Sequence, residues 1–208
     1  FHADGTKLTS PEQQDASIKL APFSVDPGKW GDFLCALFDE WVQKDVGNFF
    51  IQIFDATLAN WVGVQPGVCS MAKTCGHAGV MEFNGDVYAC DHFVFPAYKL
   101  GNIRTQTLTE MMYSPKQLQF GADKYEKLPQ VCKQCEFLFA CNGECPKNRF
   151  LHTAGESGLN YLCKGYKKYF AHVAPFMDFM KKELQAQRPP ANIMDHVSME
   201  NGNIILKA

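Results

Sequence analysis

The chain has 208 residues, 46% of them hydrophobic and 20% charged, with a formal net charge of −2. That length suits one substantial domain or two small ones, and the near-balanced charge gives no electrostatic basis for binding nucleic acid or an anionic membrane surface. No apolar run approaches the roughly 20 residues needed to span a bilayer, and residues 1–7 lack the layout of a secretory signal. Neither nucleic acid nor membrane is expected as a partner.

Residues 1–26 are polar and irregular. Asp26-Pro27 then reads as an N-cap followed by proline at the first helical position. The helix that follows puts Trp30, Phe33, Leu34, Leu37, Phe38, Trp41 and Val42 on one stripe. Cys35 lies off its centre as a small buried thiol, and Gly47 is the expected stop. Phe49–Phe54 reads as a strand apolar on both faces, so helix plus strand suggests an α/β unit with a parallel sheet. Asp55 would sit at that strand's C-terminal end, where such folds place functional groups, or serve simply as a turn residue. From Gln65-Pro66-Gly67 the elements shorten, which sets a boundary near residue 66.

Residues 80–83 and 86–89 flank Asn84-Gly85 as a β-hairpin with a two-residue turn, a register that puts Cys90 opposite Gly79. Residues 107–119 predict a short helix interrupted at Ser114-Pro115. Residues 132–145 read as a loop-dominated cradle with a turn at Gly143. Leu162, Tyr166, Tyr169, Phe170, Val173, Phe176, Met177, Met180 and Leu184 form a helical stripe, kinked or broken at Pro175, with lysines on the solvated face. Residues 189–208 read as a flexible tail. No internal repeat is present.

The nine cysteines carry the chemistry. Cys75, Cys90, Cys132, Cys135, Cys141, Cys145 and Cys163 spell C-x9-G-x4-C, C-x2-C-x5-C-x3-C and a remote cysteine, and Cys69 precedes them. An odd count in a long chain argues against a secreted disulfide scaffold and for metal ligands in a reducing cytoplasm. Zinc takes four thiolates in closed sites. The run ending Cys141-x3-Cys145-Pro146 instead matches the ferredoxin ending, in which the last cysteine serves the other cluster, so spacing favours iron–sulfur over zinc. On that logic Cys132, Cys135, Cys141 and Cys163 make one site. Cys69, Cys75, Cys90 and Cys145 make the other, both fully cysteine-ligated and suited to electron transfer.

The seven-cysteine pattern with Asn84-Gly85 at its turn resembles the SPASM domain of radical S-adenosylmethionine (SAM) enzymes. Phe38–Val42, Ile51–Asp55, Cys90–Val94 and Leu100–Ile103 further resemble the anaerobic sulfatase-maturating enzymes, which oxidise a sulfatase cysteine or serine to formylglycine. The resemblance, spanning roughly residues 20–185, implies a fold that is α/β plus α+β. Residues 1–66 would be the end of a radical-SAM (β/α) barrel, and 67–188 a SPASM domain with two auxiliary 4Fe-4S clusters. It implies that Asp91 is the base that takes the substrate's proton after a 5′-deoxyadenosyl radical removes hydrogen, with a carboxyl pKa raised by the nearby anionic cluster. His77, His92, His152 and His172 have no ligand spacing and are read as structural.

The family's C-x3-C-x2-C, which holds the SAM cluster, is absent, and the chain starts at Phe1. The resemblance therefore implies the C-terminal half of such an enzyme, inactive alone. SAM and a third 4Fe-4S cluster would come from an N-terminal radical-SAM domain, and a sulfatase polypeptide and an external electron donor would be partners. Two other readings stay open: a SPASM-type peptide-crosslinking maturase, which needs no aspartate after Cys90, and a zinc-stabilised interaction module.

Overall fold

A computed structural model describes residues 20–153 and 155–207. In chain order its helices are α1 (Pro27–Lys44), α2 (Gln52–Val62), α3 (Leu108–Met112), α4 (Pro115–Glu126), α5 (Gln130–Lys133), α6 (Leu138–Cys141) and α7 (Cys163–Gln185). Its strands are β1 (Val80–Met81), β2 (Asp86–Tyr88), β3 (Lys99–Asn102), β4 (Leu151–Thr153), β5 (Glu156–Leu159), β6 (Val197–Glu200) and β7 (Asn203–Leu206). They gather into two compact units. A helical unit takes in Val25–Met71, Glu136–Cys141 and the chain from Leu162 on, and a cysteine-loop unit takes in Ala72–Cys135 and Asn142–Tyr161.

The helical unit grows from α1 and α7. Asp26 Oδ1 accepts from Gly28 N at 2.8 Å and Lys29 N at 3.0 Å, which caps α1 as its sequence predicts. The two helices meet at paired glycines, where a Cβ on Gly31 would lie 2.9 Å from the Gly165 backbone. Around that contact Phe38, Trp41, Phe54, Tyr169, Phe170, Phe176 and Met177 form one apolar core. Phe38 rests edge-on against Phe54 at 5.3 Å. Thr57 Oγ1 and Tyr169 Oη pair at 3.0 Å inside it, and Trp61 donates to Asp178 at 2.9 Å. Cys35 is buried in the same core. Pro175 does not interrupt α7, because Val173, Phe176 and Met177 on either side of it are buried and hold the helix across the missing N–H.

Four expectations fail in this unit. Residues 49–54 form no strand: α2 starts at Gln52, and Phe49 and Phe50 are exposed. A strand must borrow hydrogen bonds from a neighbour, whereas this segment makes its own, beginning with Phe54 N to Ile51 O at 2.8 Å. Asp55 accordingly sits in the first turn of α2, where exposed helix N–H groups favour a carboxylate, and not at a strand end. Residues 189–208 are no flexible tail among the described residues. Ile193 is fully buried, and β6 and β7 close a hairpin on Asn201-Gly202, both at positive φ. Phe33 and Leu184 also leave their expected stripes for solvent.

The cysteine-loop unit is built on the antiparallel sheet β1-β2-β3 and the hairpin β4-β5. The mixed helix-and-strand character read from the sequence is present, but every strand pair among the described residues is antiparallel. The hairpin at Asn84-Gly85 has the expected position and a different register: Val80 faces Tyr88 and Met81 faces Val87, so Cys90 is not opposite Gly79. The loop is Phe83-Asn84-Gly85, closed by Gly85 N to Glu82 O at 2.9 Å, with Gly85 at φ +88. Asn102 on β3 fixes this form by donating to Asn84 O and Asp86 Oδ1. The break expected at Ser114-Pro115 separates α3 from α4, each with a side-chain cap.

Candidate metal centre

Two of the predicted ligands, Cys75 and Cys90, are positioned by one face of α4. Gln117, Gly121 and Lys124, spaced one and two turns apart, are its buried residues. Gln117 Nε2 donates to Gly76 O at 3.1 Å and Ala89 O at 3.2 Å, tying the residue after Cys75 to the residue before Cys90. Cys75 N donates to Gly121 O at 3.1 Å, and a Cβ on Gly121 would lie 2.6 Å from the Cys75 carbonyl oxygen. Only glycine lets the helix approach the cysteine this closely. Cys90 leaves β2 in extended conformation and caps a short 3-10 turn, Asp91–Phe93. Buried Phe93 anchors that turn against Tyr98 and Phe120 at 4.9 and 5.1 Å.

Cys145 follows three consecutive left-handed residues, Asn142, Gly143 and Glu144, at φ 47, 70 and 55. Such a run needs outside support. Buried Arg149 supplies it: Nε donates to Gly143 O at 2.9 Å, and one terminal nitrogen donates to Asn142 O at 3.1 Å and Glu144 O at 2.9 Å. The expected turn at Gly143 is thus a longer, clamped loop.

Charge ties these groups together. Burial first, then Asp91 and the Cys145 charge, push the Cys90 thiol up to about 12. Burial first, with Glu144 and Cys75 adding, pushes Cys145 up to about 11. Thiols in this condition are inert nucleophiles at neutral pH, but a coordinated metal deprotonates a thiol outright. Desolvated cysteines that ionise only when a cation offsets their repulsion are therefore a donor set that fits a cationic iron centre.

Asp91 lies at the rim, its side chain 69% exposed. The Cys90 thiol donates to Asp91 Oδ1 at 3.1 Å. That bond first, aided by His92, holds the carboxyl below its usual range, opposite to the expected rise. The lowering belongs to the protonated thiol, since a thiolate has no proton to donate. Cys90, Asp91 and His92 offer ligand atoms within 4.8 Å of one another, and His92 Nδ1 lies 3.9 Å from Cys145 Sγ. His92 is therefore closer to the site than its sequence context signals. His172 pairs with Asp39 at 2.5 Å and His77 packs its ring at a tilt against Tyr113, both structural roles.

Cys132 and Cys135 sit one turn apart in the same unit, with Cys135 N bonded to Cys132 O at 3.0 Å. Cys69, Cys141 and Cys163 belong to the helical unit. There Asn60 Nδ2 donates to Ala140 O at 2.7 Å and Met71 O at 3.0 Å, which pins the segments that carry Cys141 and Cys69. The sequence reading missed Gln117, Gly121, Lys124 and Arg149. Helical spacing marks the first three as one face, but a face of Gln, Gly and Lys reads as solvated.

Residues 74–136 match the SPASM iron–sulfur cluster-binding domain. Over 93% of its length the chain is 70% identical to the serine-type anaerobic sulfatase-maturating enzyme of Bacteroides thetaiotaomicron, of which it covers 47%. It is 32% identical over 74% of its length to the cysteine-type anaerobic sulfatase-maturating enzyme of Clostridium perfringens (strain 13 / Type A), covering 42% of that protein. Among solved structures, native anSMEcpe with bound AdoMet and Cp18Cys peptide aligns at a TM-score of 0.69 and 30% identity, over 80% of this chain and 46% of that one. The chain spans less than half the length of the sulfatase-maturating enzymes it matches.

Proposed function

The chain belongs to the family of anaerobic sulfatase-maturating enzymes, and from that premise we propose that it is the auxiliary-cluster part of a formylglycine-generating enzyme. Its cysteines Cys69, Cys75, Cys90, Cys132, Cys135, Cys141, Cys145 and Cys163 hold two 4Fe-4S clusters. The observation that carries the reading is the convergence of Cys75, Cys90 and Cys145 beside buried Lys124, with the exposed carboxylate of Asp91 next to Cys90. When bound, such fully cysteine-ligated clusters accept and pass single electrons. SAM and a third cluster belong to the rest of the protein in this reading, as does docking of an external electron donor.

The residues of this chain contribute a base and its placement. Conversion of a serine side chain to an aldehyde removes one hydrogen from Cβ and one proton from Oγ, with two electrons leaving in all. Asp91 Oδ takes that proton, and its exposure leaves it open to an incoming peptide. The short turn anchored by Phe93 fixes the carboxylate next to Cys90, so that proton and electron leave the substrate at neighbouring points. The 70% identity to a serine-type enzyme favours serine as the residue oxidised. Identities near 31% do not discriminate, since serine-type and cysteine-type relatives share them.

Anaerobic reconstitution tests the metal: this chain should bind iron and acid-labile sulfide in a brown protein, and zinc without sulfide would overturn the reading. For the base, full-length protein carrying Asp91→Asn should keep its iron yet lose formylglycine formation on a sulfatase peptide. Product formed at the unaltered rate would remove Asp91 from the mechanism.

A further inference from the structure

Lys124 is 1% exposed, on the buried face of α4. Its ammonium donates to the carbonyl of Ala72, three residues before Cys75. Burial first, then Arg149, pulls the ammonium below the usual lysine range, and the charges of Cys75, Glu144 and Cys145 oppose that shift. Its own carbonyl accepts from Arg149 at 2.5 Å, the guanidinium that clamps Asn142, Gly143 and Glu144 just ahead of Cys145. One carboxylate, Glu144, is buried with them, and it accepts from Asn160 at 2.7 Å and Asn148 at 3.2 Å. Among the described residues, that sets two buried cations against one buried carboxylate beside the thiols.

A strut for the Ala72 carbonyl needs only a neutral donor, and burying an ammonium costs far more than burying an amide. That cost is offset if the ammonium faces thiolates in a medium of low dielectric. We propose that Lys124, seated on Arg149, is the fixed positive charge that holds the iron–sulfur site of Cys75, Cys90 and Cys145 and raises its reduction potential. It is a positioning residue that acts through the cysteines, and the inference rests on the metal reading given above. Reduction adds an electron to an already anionic group, so a permanent cation nearby favours the reduced form.

The test compares Lys124→Gln with Lys124→Arg in anaerobically reconstituted full-length protein, with iron counted, circular dichroism recorded and a redox titration followed by EPR. If Lys124→Gln keeps its iron, one reduction step should become at least tenfold less favourable, about 59 mV lower for one electron, while Lys124→Arg stays near wild type. Loss of iron in Lys124→Gln but not in Lys124→Arg also supports the proposal, because Arg keeps the positive charge that Gln lacks. Unmoved potentials with full iron in Lys124→Gln would overturn it, as would equal loss of iron or of fold in both variants, which marks a packing role. Wild-type protein without iron would instead overturn the metal reading itself.

Discussion

The two units are held together by different means. In the helical unit the ring cluster of Phe38, Trp41, Phe54, Tyr169 and Phe176 is buried between α1, α2 and α7, a conventional apolar core. Among the described residues, the cysteine-loop unit has a small buried cluster of Val87, Met111 and Met112 with Leu100 against them, and a ring group of Phe93, Tyr98 and Phe120. Its segments are joined instead by buried polar groups that grip backbone: Gln117 on Gly76 and Ala89, Lys124 on Ala72, and Arg149 on four carbonyls. Polar clamps specify geometry well and add little net stability. A unit so constructed should gain stability from ligation, as small metal-bound domains do.

That contrast can be broken most visibly by removing metal. Chelation of reconstituted protein should speed amide hydrogen exchange in β1–β3 and α4 by about 100-fold or more, with α1 and α7 little changed. Equal loss in both units would end the distinction. Next in size, Phe38→Ala opens a cavity in the helical core and should destabilise that unit by about 3–5 kcal/mol, read as a lower urea midpoint of the α1 and α7 signal. Arg149→Met leaves the carbonyls of Lys124, Asn142, Gly143 and Glu144 without their buried donor. It should cost the cysteine-loop unit about 3 kcal/mol and lower iron occupancy, measured by iron count and by proteolysis near Gly143.

The smallest effect is a pH dependence in the helical unit. Arg188 first, then Asn192, hold the Glu183 carboxyl down at about 2, below its ordinary 4.5. A depressed carboxyl stabilises the fold above its unfolded pKa and loses that contribution as pH falls through its folded one. Stability should therefore drop between pH 4.5 and 2, and Glu183→Gln should flatten that limb. An unchanged acid profile would assign the loss to other carboxylates.

The same dipeptide shows how far local sequence reaches. Asn201-Gly202 makes the two-residue turn with both φ positive that Asn-Gly favours. Asn84-Gly85 does not, because Asn102 on β3 binds Asn84 and Asp86 and draws Phe83 into a three-residue loop. Residues 49–54 teach a similar lesson: an apolar run reads as a strand, but among the described residues no strand pairs with it and helical bonds form from Ile51 onward.

Read alone, the chain's order of residues determined its local starts and stops, such as Asp26 before α1 and Ser114 before α4, the long apolar stripe of α7, and a cysteine spacing that named a family. These depend on neighbours within a few positions, so they are written where they act. Tertiary structure alone decided which groups surround the thiols. Gln117, Gly121, Lys124 and Arg149 are unremarkable in sequence, and their burial depends on carbonyls brought from Ala72, Gly76, Ala89 and Gly143. A polar side chain reads as solvated until the fold removes its water and supplies a partner.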